Sequence, residues 1–213
     1  MAGLDPEVAG RLGAELGLPA QRLAGLDPEL AGLIDARLTR LRDLAALDDL
    51  TGVLRRGAGM EALQREVRRA QRLGDDRLTL VFLDLIGLKQ VNDEEGHGAG
   101  DTVLRELAAA LRRRLRGYDL VLRWGGDEFV CAISHTGSGQ AERILSEVEA
   151  DFRSRTGHSF RLGVAEVRPD DEAATLVARA DHDLYTRALR GSGRERAGES
   201  RQNRQGRSAH SPA

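Results

Sequence analysis

The chain has 213 residues, with 32 Lys and Arg against 34 Asp and Glu for a formal net charge of -2. That length holds one domain with a short extension or two very small domains, and the balanced charge argues against a general nucleic-acid coat or a polybasic membrane binder. Cys131 is the single cysteine, no apolar run approaches the roughly 20 residues of a membrane span, and the N-terminus has no secretory pattern, so a reduced cytoplasmic protein without disulfides or a thiolate zinc cluster is expected.

Residues 1–46 are rich in Leu, Ala and Gly and carry a near-repeat. Gly3-Leu4-Asp5-Pro6-Glu7-Val8-Ala9-Gly10 returns as Gly25-Leu26-Asp27-Pro28-Glu29-Leu30-Ala31-Gly32. Asp before Pro and Glu is the pattern of an acidic N-cap with proline at the first helical position. Leu30, Leu33, Ile34, Leu38, Leu41 and Leu44 recur three and four apart, an apolar stripe on one helix. Two or three helices are expected here. They serve either to dimerise or relay a signal, or merely to cap the following domain.

From Asp48 the pattern changes. Residues 60–73 predict a charged amphipathic helix. Residues 78–84, Leu-Thr-Leu-Val-Phe-Leu-Asp, form an almost continuous apolar run ending in an acid and predict a buried strand. Val103, Leu104, Leu107, Ala108, Leu111 and Leu115 predict a helix over 101–115. Residues 119–124 and 129–134 predict strands flanking Gly125-Gly126-Asp127-Glu128, and a Gly-Gly turn between apolar runs predicts a hairpin. Helices are expected over 140–152 and 172–189, with a strand over 160–167 between them. The core order of strand, helix, strand, strand, helix, strand is the ferredoxin-like split βαβ arrangement, an α+β fold. Residues 191–213 hold five Arg, two Glu and almost nothing to bury, and predict a disordered basic tail. The division is therefore 1–46, 47–190 and 191–213.

Asp84 closes a buried strand, and Asp127 and Glu128 lie in the hairpin turn. In a split βαβ sheet the first strand and the central hairpin lie side by side, which gathers three carboxylates at one sheet end. Such acids repel unless a cation neutralises them, and magnesium pairs one or two carboxylates with substrate phosphates. Gly125 and Gly126 let a phosphate approach the backbone. The residues thus suggest metal-dependent nucleotidyl or phosphoryl transfer, against a plain surface hairpin with acidic turn residues.

Arg123-Trp124-Gly125-Gly126-Asp127-Glu128-Phe129 resembles the signature loop of the GGDEF family, the diguanylate cyclases. Asp49-Leu50-Thr51-Gly52-Val53-Leu54 with Arg56 resembles its opening motif. Asp84-Leu85, Leu88-Lys89, Val91-Asn92-Asp93, Gly96-His97 and Gly100-Asp101 resemble its long second motif, and Arg116-x-x-Asp119 precedes the signature at the family spacing. The resemblance covers about residues 47–190.

It implies a nucleotide-cyclase-like βαββαβ palm that joins two GTP into cyclic di-GMP and two pyrophosphates. Two protomers face each other in a homodimer, with magnesium (or manganese) as cofactor. Asp84, Asp127 and Glu128, with the Leu85 carbonyl, match the metal ligands. Asp127 and Glu128 are the catalytic pair, Glu128 helping to activate the attacking hydroxyl. Gly125 and Gly126 match the turn that admits nucleotide, Asn92 and Asp101 the guanine readers, and Lys89, the only lysine, a phosphate contact beside Leu88. Arg116 and Asp119 match the product-binding inhibitory site. Trp124 and Cys131 read as packing, and His97 as a loop support.

Three positions depart from the pattern. Ile86 stands where the family has a second acid, and Arg55 where Asn is frequent. The C-terminal phosphate clamp lacks its lysine, leaving Arg187, Arg190 or Arg194 to substitute. The expected function is a diguanylate cyclase with product inhibition. The alternative is a weak or inactive module that binds GTP or cyclic di-GMP and regulates a partner. No nucleic-acid partner is expected.

Overall fold

The computed structural model describes residues 9, 18–23, 25–73 and 77–207, and the chain falls into two units, Met1–Ala46 and Leu47–Ala213. In the first, Ala20–Arg22 make a 3-10 turn and helix α1 spans Pro28–Ala46. The Asp27 carboxylate accepts hydrogen bonds from Glu29 N at 2.9 Å and Leu30 N at 3.1 Å. The acid before proline therefore caps the helix as the sequence predicts. Ala31 and Ile34 turn toward Ala9, Leu23 and Leu26, whereas Leu30 and Leu33 are 49% and 65% exposed. The rest of the first repeat copy lies outside the described residues.

The second unit is built on a five-stranded sheet of order β1-β3-β4-β2-β5. Its elements are β1 (Leu54–Arg55), α2 (Arg56–Leu73), β2 (Leu78–Leu85), α3 (Leu88–Glu95), α4 (His97–Arg114), β3 (Leu120–Arg123), β4 (Glu128–Ser134), α5 (Ser138–Thr156), β5 (Phe160–Glu166) and α6 (Ala173–Arg207). β1 runs parallel to β3, and every other pairing is antiparallel. Without β1 the order is the expected split βαβ palm.

Both faces of the sheet are covered. Val81, Leu83 and Leu85 of β2, with Phe129, Cys131 and Ile133 of β4, pack against Leu104, Leu107 and Leu111 of α4 and Leu145, Val148 and Phe152 of α5. Leu80 and Phe82, with Val130 and Ala132, pack against Leu63 and Val67 of α2 and Leu176, Val177 and Ala180 of α6. Alternate side chains on a strand point to opposite faces, so a strand covered on both sides must be apolar throughout. That is why 78–83 reads as an almost continuous apolar run, interrupted only by Thr79, whose buried hydroxyl donates to Thr136 O at 2.6 Å.

Several elements differ from expectation: strand β1 is not foreseen, and α2 begins at Arg56 rather than at 60. Helix α3 is not foreseen: its eight residues bury only Leu88 and Val91, too few contacts for a periodic signal. Helix α4 begins at His97 rather than at 101, directly after Gly96 at φ +87. In place of the expected disordered tail from Gly191, α6 continues to Arg207. Ten of the seventeen residues from 191 to 207 are Arg, Glu, Ala or Gln, good helix formers that outnumber the four glycines opposing a helix. Side chains of 191–207 lie outside the described residues. Among the described residues no helix is long and apolar enough to cross a membrane.

Candidate active site

The β2–β4 ladder places Asp84 directly opposite Glu128, and the β2–β5 ladder places Arg161 on its other side. Leu85 N donates to Asp127 O at 3.0 Å, which ties the loop acid to the strand end. The three carboxylates thus meet at one end of the sheet. Burial raises the proton affinity of Asp84, the charge on Asp127 raises it further, and Arg161 opposes the shift. Glu128 is raised likewise, by burial first and then by Asp127, Asp84 and Asp181, with Arg56 opposing. Neighbouring acids that resist ionising together are what a divalent cation relieves.

Among the described residues no three carboxylate, His or Cys side chains stand as a finished metal cage. Magnesium seldom uses one, since substrate phosphates and water complete its shell. The donor set fits a hard cation with part of its shell left open.

Beside this corner lies a cleft of about 440 Å³. Leu88, Lys89, Asn92, Asp101, Gly126 and Asp127 line it, so six of the sequence-predicted site residues converge there. Asp93, His97, Gly100, Leu104 and Arg123 complete the wall. A Cβ at Gly100 would lie 2.1 Å from Asn92 Oδ1, so glycine is needed there to seat the asparagine. At Gly125 a Cβ would come within 2.6 Å of Glu128 Oε2, so a side chain there would displace the Glu128 carboxylate. Gly126 faces open space. Neither glycine has positive φ, so the hairpin is not the two-residue primed turn that Gly-Gly suggests.

The loop is held instead by Arg123, to which the sequence assigns no role. Its Nε donates to Gly125 O at 3.2 Å and its Nη2 to Gly126 O at 2.8 Å. Its Nη1 donates to Asp48 Oδ1 at 3.1 Å. Asp48 in turn accepts from Thr51 N at 2.9 Å and Thr51 Oγ1 at 2.7 Å. Spacing gives no signal of this hold, because Asp48 lies 75 residues before Arg123, just outside the opening motif that begins at Asp49. Arg56 is a second omission: its guanidinium lies 4.0 Å over the Trp124 ring. Trp124 itself meets Phe82 edge-on at 6.0 Å, the packing role expected of it. Arg55 donates to Leu47 O and to Asp49 Oδ2, both at 2.5 Å, and so braces the opening motif.

Burial raises Asp48, but the hydrogen bonds from the Thr51 side chain and backbone and from Arg123 prevail, and its carboxyl sits below the ordinary value of 3.8. A carboxyl lowered by folding stabilises the fold above its unfolded value, and that contribution is lost as pH falls through the folded value. Asp48→Asn is therefore expected to cost about 1–2 kcal/mol at neutral pH. The difference in melting temperature from the native chain should shrink in acid, below pH 3.8. An unchanged difference there would show that charge is not what Asp48 contributes.

Arg116 and Asp119 lie at the opposite end of β3 from Arg123. They line a separate pocket of about 460 Å³ with Leu47, Gly52, Arg112 and Leu115. The Asp119 carboxylate already accepts from Arg116 N at 2.8 Å and Ser134 N at 3.1 Å. The Arg116 guanidinium donates to Tyr118 Oη at 2.5 Å. Of the three arginines expected to replace the clamp lysine, Arg187 is bound to Asp183 at 2.7 Å and Glu142 at 2.6 Å, where it joins α6 to α5. Arg190 is exposed, and the Arg194 side chain lies outside the described residues.

Comparison with known proteins agrees with this geometry. Residues 45–194 match the family described as "Diguanylate cyclase, GGDEF domain". Diguanylate cyclase DgcP of Pseudomonas aeruginosa is 36% identical over 163 residues, covering 73% of this chain and 24% of its own length. Diguanylate cyclase DgcS of Shewanella oneidensis is 38% identical over 146 residues, covering 66% of this chain and 49% of its own length. The chain thus spans about a quarter and about half of these two relatives. A microbial GGDEF domain solved with cyclic di-GMP superposes with a TM-score of 0.65 at 32% identity, over 71% of this chain and 95% of that one. The coiled coil and GGDEF domain of DgcB from Caulobacter crescentus, solved with cyclic di-GMP, superposes at 0.68 with 25% identity, over 87% and 95%. With its carboxylate corner, its cleft and its sheet order all in agreement, the chain belongs to the GGDEF-domain family of diguanylate cyclases.

Proposed function

We propose that this chain condenses two GTP into cyclic di-GMP and two pyrophosphates at the face between two copies of itself. The observation that carries the reading is the meeting of Asp84, Asp127 and Glu128 beside a cleft lined by Asn92, Asp101 and Lys89. An Asp accepts from guanine N1 and N2, where adenine offers no matching donors, so Asp101 selects GTP with Asn92 beside it. Lys89 supplies a mobile positive charge for phosphate at the cleft wall. Glu128, with its raised proton affinity, is suited to take the proton of the attacking 3′-hydroxyl at a carboxylate oxygen. Asp84, Asp127, Glu128 and the Leu85 carbonyl are the groups that would hold a divalent ion, magnesium or manganese, which supplies charge neutralisation on the triphosphate. Each copy carries one such cleft, so attack of one nucleotide on the other needs a homodimer. Arg116 and Asp119 are the groups for a product-binding site that restrains the enzyme.

A second reading, a weak cyclase acting as a nucleotide-binding module, is favoured by the engagement of Arg187 with Asp183 and Glu142. With that arginine committed, the terminal phosphate has one fewer cation. The cost falls on the apparent Michaelis constant before it falls on chemistry.

The test is product analysis. Purified chain with GTP and magnesium is expected to yield cyclic di-GMP by chromatography and mass spectrometry. Chelation of the metal should abolish the product, and ATP should give none. Absence of cyclic di-GMP at protein concentrations where dimers form would leave only the binding module.

A further inference from the structure

The pocket beside Arg116 has one wall that the product-site reading does not use. Arg112, in the last turn of α4 and four residues before Arg116, reaches across to the opening motif and donates from Nη2 to the carbonyl of Gly52. Gly52 has φ +65, a left-handed conformation that suits glycine. A Cβ there would lie only 3.1 Å from Arg112 Nη2, so the absence of a side chain also lets the guanidinium in. Gly52 N donates to Asp48 O, and Asp48 N to Val53 O, both at 2.7 Å. The same Asp48 holds Arg123, and Arg123 holds the carbonyls of Gly125 and Gly126. A continuous run of hydrogen bonds thus leads from the wall of one pocket to the loop that carries Asp127 in the other.

The first link is the one a ligand can break. Arg112 and Arg116 line the same pocket, and Arg112 holds only a neutral carbonyl there. A guanidinium bonds a phosphate oxygen more strongly than a peptide oxygen, because both partners are charged. A ligand shifts an equilibrium only by contacts that differ between its two states. A phosphate that recruits Arg112 makes such a contact, since Arg112 must leave Gly52 to reach it.

We propose that Arg112 is a positioning residue that couples this pocket to the signature loop: it pins Gly52 until a phosphate-bearing ligand drawn to Arg116 takes its guanidinium, which loosens the Asp48–Arg123 hold on Gly125 and Gly126. The inference rests on the reading of Arg116 and Asp119 as the product site, and cyclic di-GMP is the ligand that reading supplies. It adds a route within one chain from product to catalytic loop.

Trp124, the only tryptophan, flanks Gly125 and is a built-in reporter of that loop. The full chain is titrated with cyclic di-GMP, with binding followed by calorimetry and Trp124 emission followed in parallel. The native chain is expected to bind and to change its emission over the same concentration range. Arg112→Ala, which removes a phosphate contact, is expected to bind about tenfold more weakly and, even at saturating product, to lose the emission change and most of the inhibition. Arg112→Lys, which keeps one charged donor, should restore part of both responses. A role confined to stabilising the fold would move the melting temperature and leave the emission response intact. Full emission change and full inhibition in Arg112→Ala would overturn the proposal, as would native binding with silent Trp124. Failure of the native chain to bind cyclic di-GMP at all would overturn it together with the product-site reading. Calorimetry separates that result from a failure of coupling alone.

Discussion

Glu128→Gln is expected to lower cyclic di-GMP formation by about 10²–10⁴-fold, the range supplied by a positioned general base. The amide would keep the size and the hydrogen-bonding reach of the native side chain but could not take a proton from the 3′-hydroxyl. The loss should appear in kcat, with GTP affinity changed far less, because Asn92, Asp101 and Lys89 still line the cleft. A loss confined to the Michaelis constant would instead make Glu128 a binding group. Native-like turnover would remove it from the chemistry altogether.

The same substitution is expected to make the metal-free protein more stable. Folding raises the proton affinity of Glu128, through burial first and then through Asp127, Asp84 and Asp181. In the interval between the unfolded and folded values the native state binds more protons, so stability falls as pH rises through that interval. At neutral pH the ionised side chain therefore opposes folding, and an amide removes that opposition. The melting temperature of Glu128→Gln should exceed native at neutral pH, without divalent ions, and the two should converge toward the ordinary Glu value of 4.5. A less stable variant would mean that the hydrogen bonds of Glu128 outweigh its charge. Active sites hold repelling groups together for function at the expense of stability.

The parts of this fold that were legible in the sequence are those where one physical signal dominates. The run over 78–83 predicts a strand because both faces of β2 are buried, and the acid that ends it marks the site. Asp27-Pro28 predicts the start of α1 because a cap is a local interaction. Pairing of Asp84 with Glu128 is also foreseeable, since the split βαβ order leaves the first strand beside the hairpin. Helix α3 was not legible: eight residues with two buried apolar positions carry no period. Neither were the bonds of Arg123, because its partners Asp48 and Gly126 come from distant and adjacent segments at once. Composition pointed to disorder beyond Gly191, where helix propensity carries α6 on to Arg207. The clamp shows a further limit. The family resemblance left Arg187, Arg190 and Arg194 as alternatives for phosphate, and only the packing of α5 against α6 reveals Glu142 and Asp183 as the partners of Arg187.

Gly163→Ala is expected to be the most damaging single methyl group added to the described sheet. Gly163 lies in β5 opposite Phe82 of β2. A Cβ there would lie 2.2 Å from both Ala180 O and Leu184 N, and 2.7 Å from Leu184 Cα. All three are backbone atoms of α6, so no side chain can rotate away. Helix and strand would have to separate. Overpacking usually costs about 1–3 kcal/mol, and the upper end applies where only backbone can yield. For a chain of this size about 3 kcal/mol corresponds to a fall of roughly 6–12 °C in melting temperature. The displacement would also reach the catalytic corner. Val164 N donates to Asp183 Oδ2 at 2.8 Å one residue further along β5, and Asp181 on the same helix acts on Glu128. Turnover should therefore fall even at temperatures where the variant stays folded. Gly139→Ala is the control, because a Cβ at that position in α5 meets nothing within 4 Å. It should change stability by about 0.5 kcal/mol or less, in the stabilising direction. Equal melting temperatures for the two variants would mean that β5 and α6 are less closely joined than their backbones indicate.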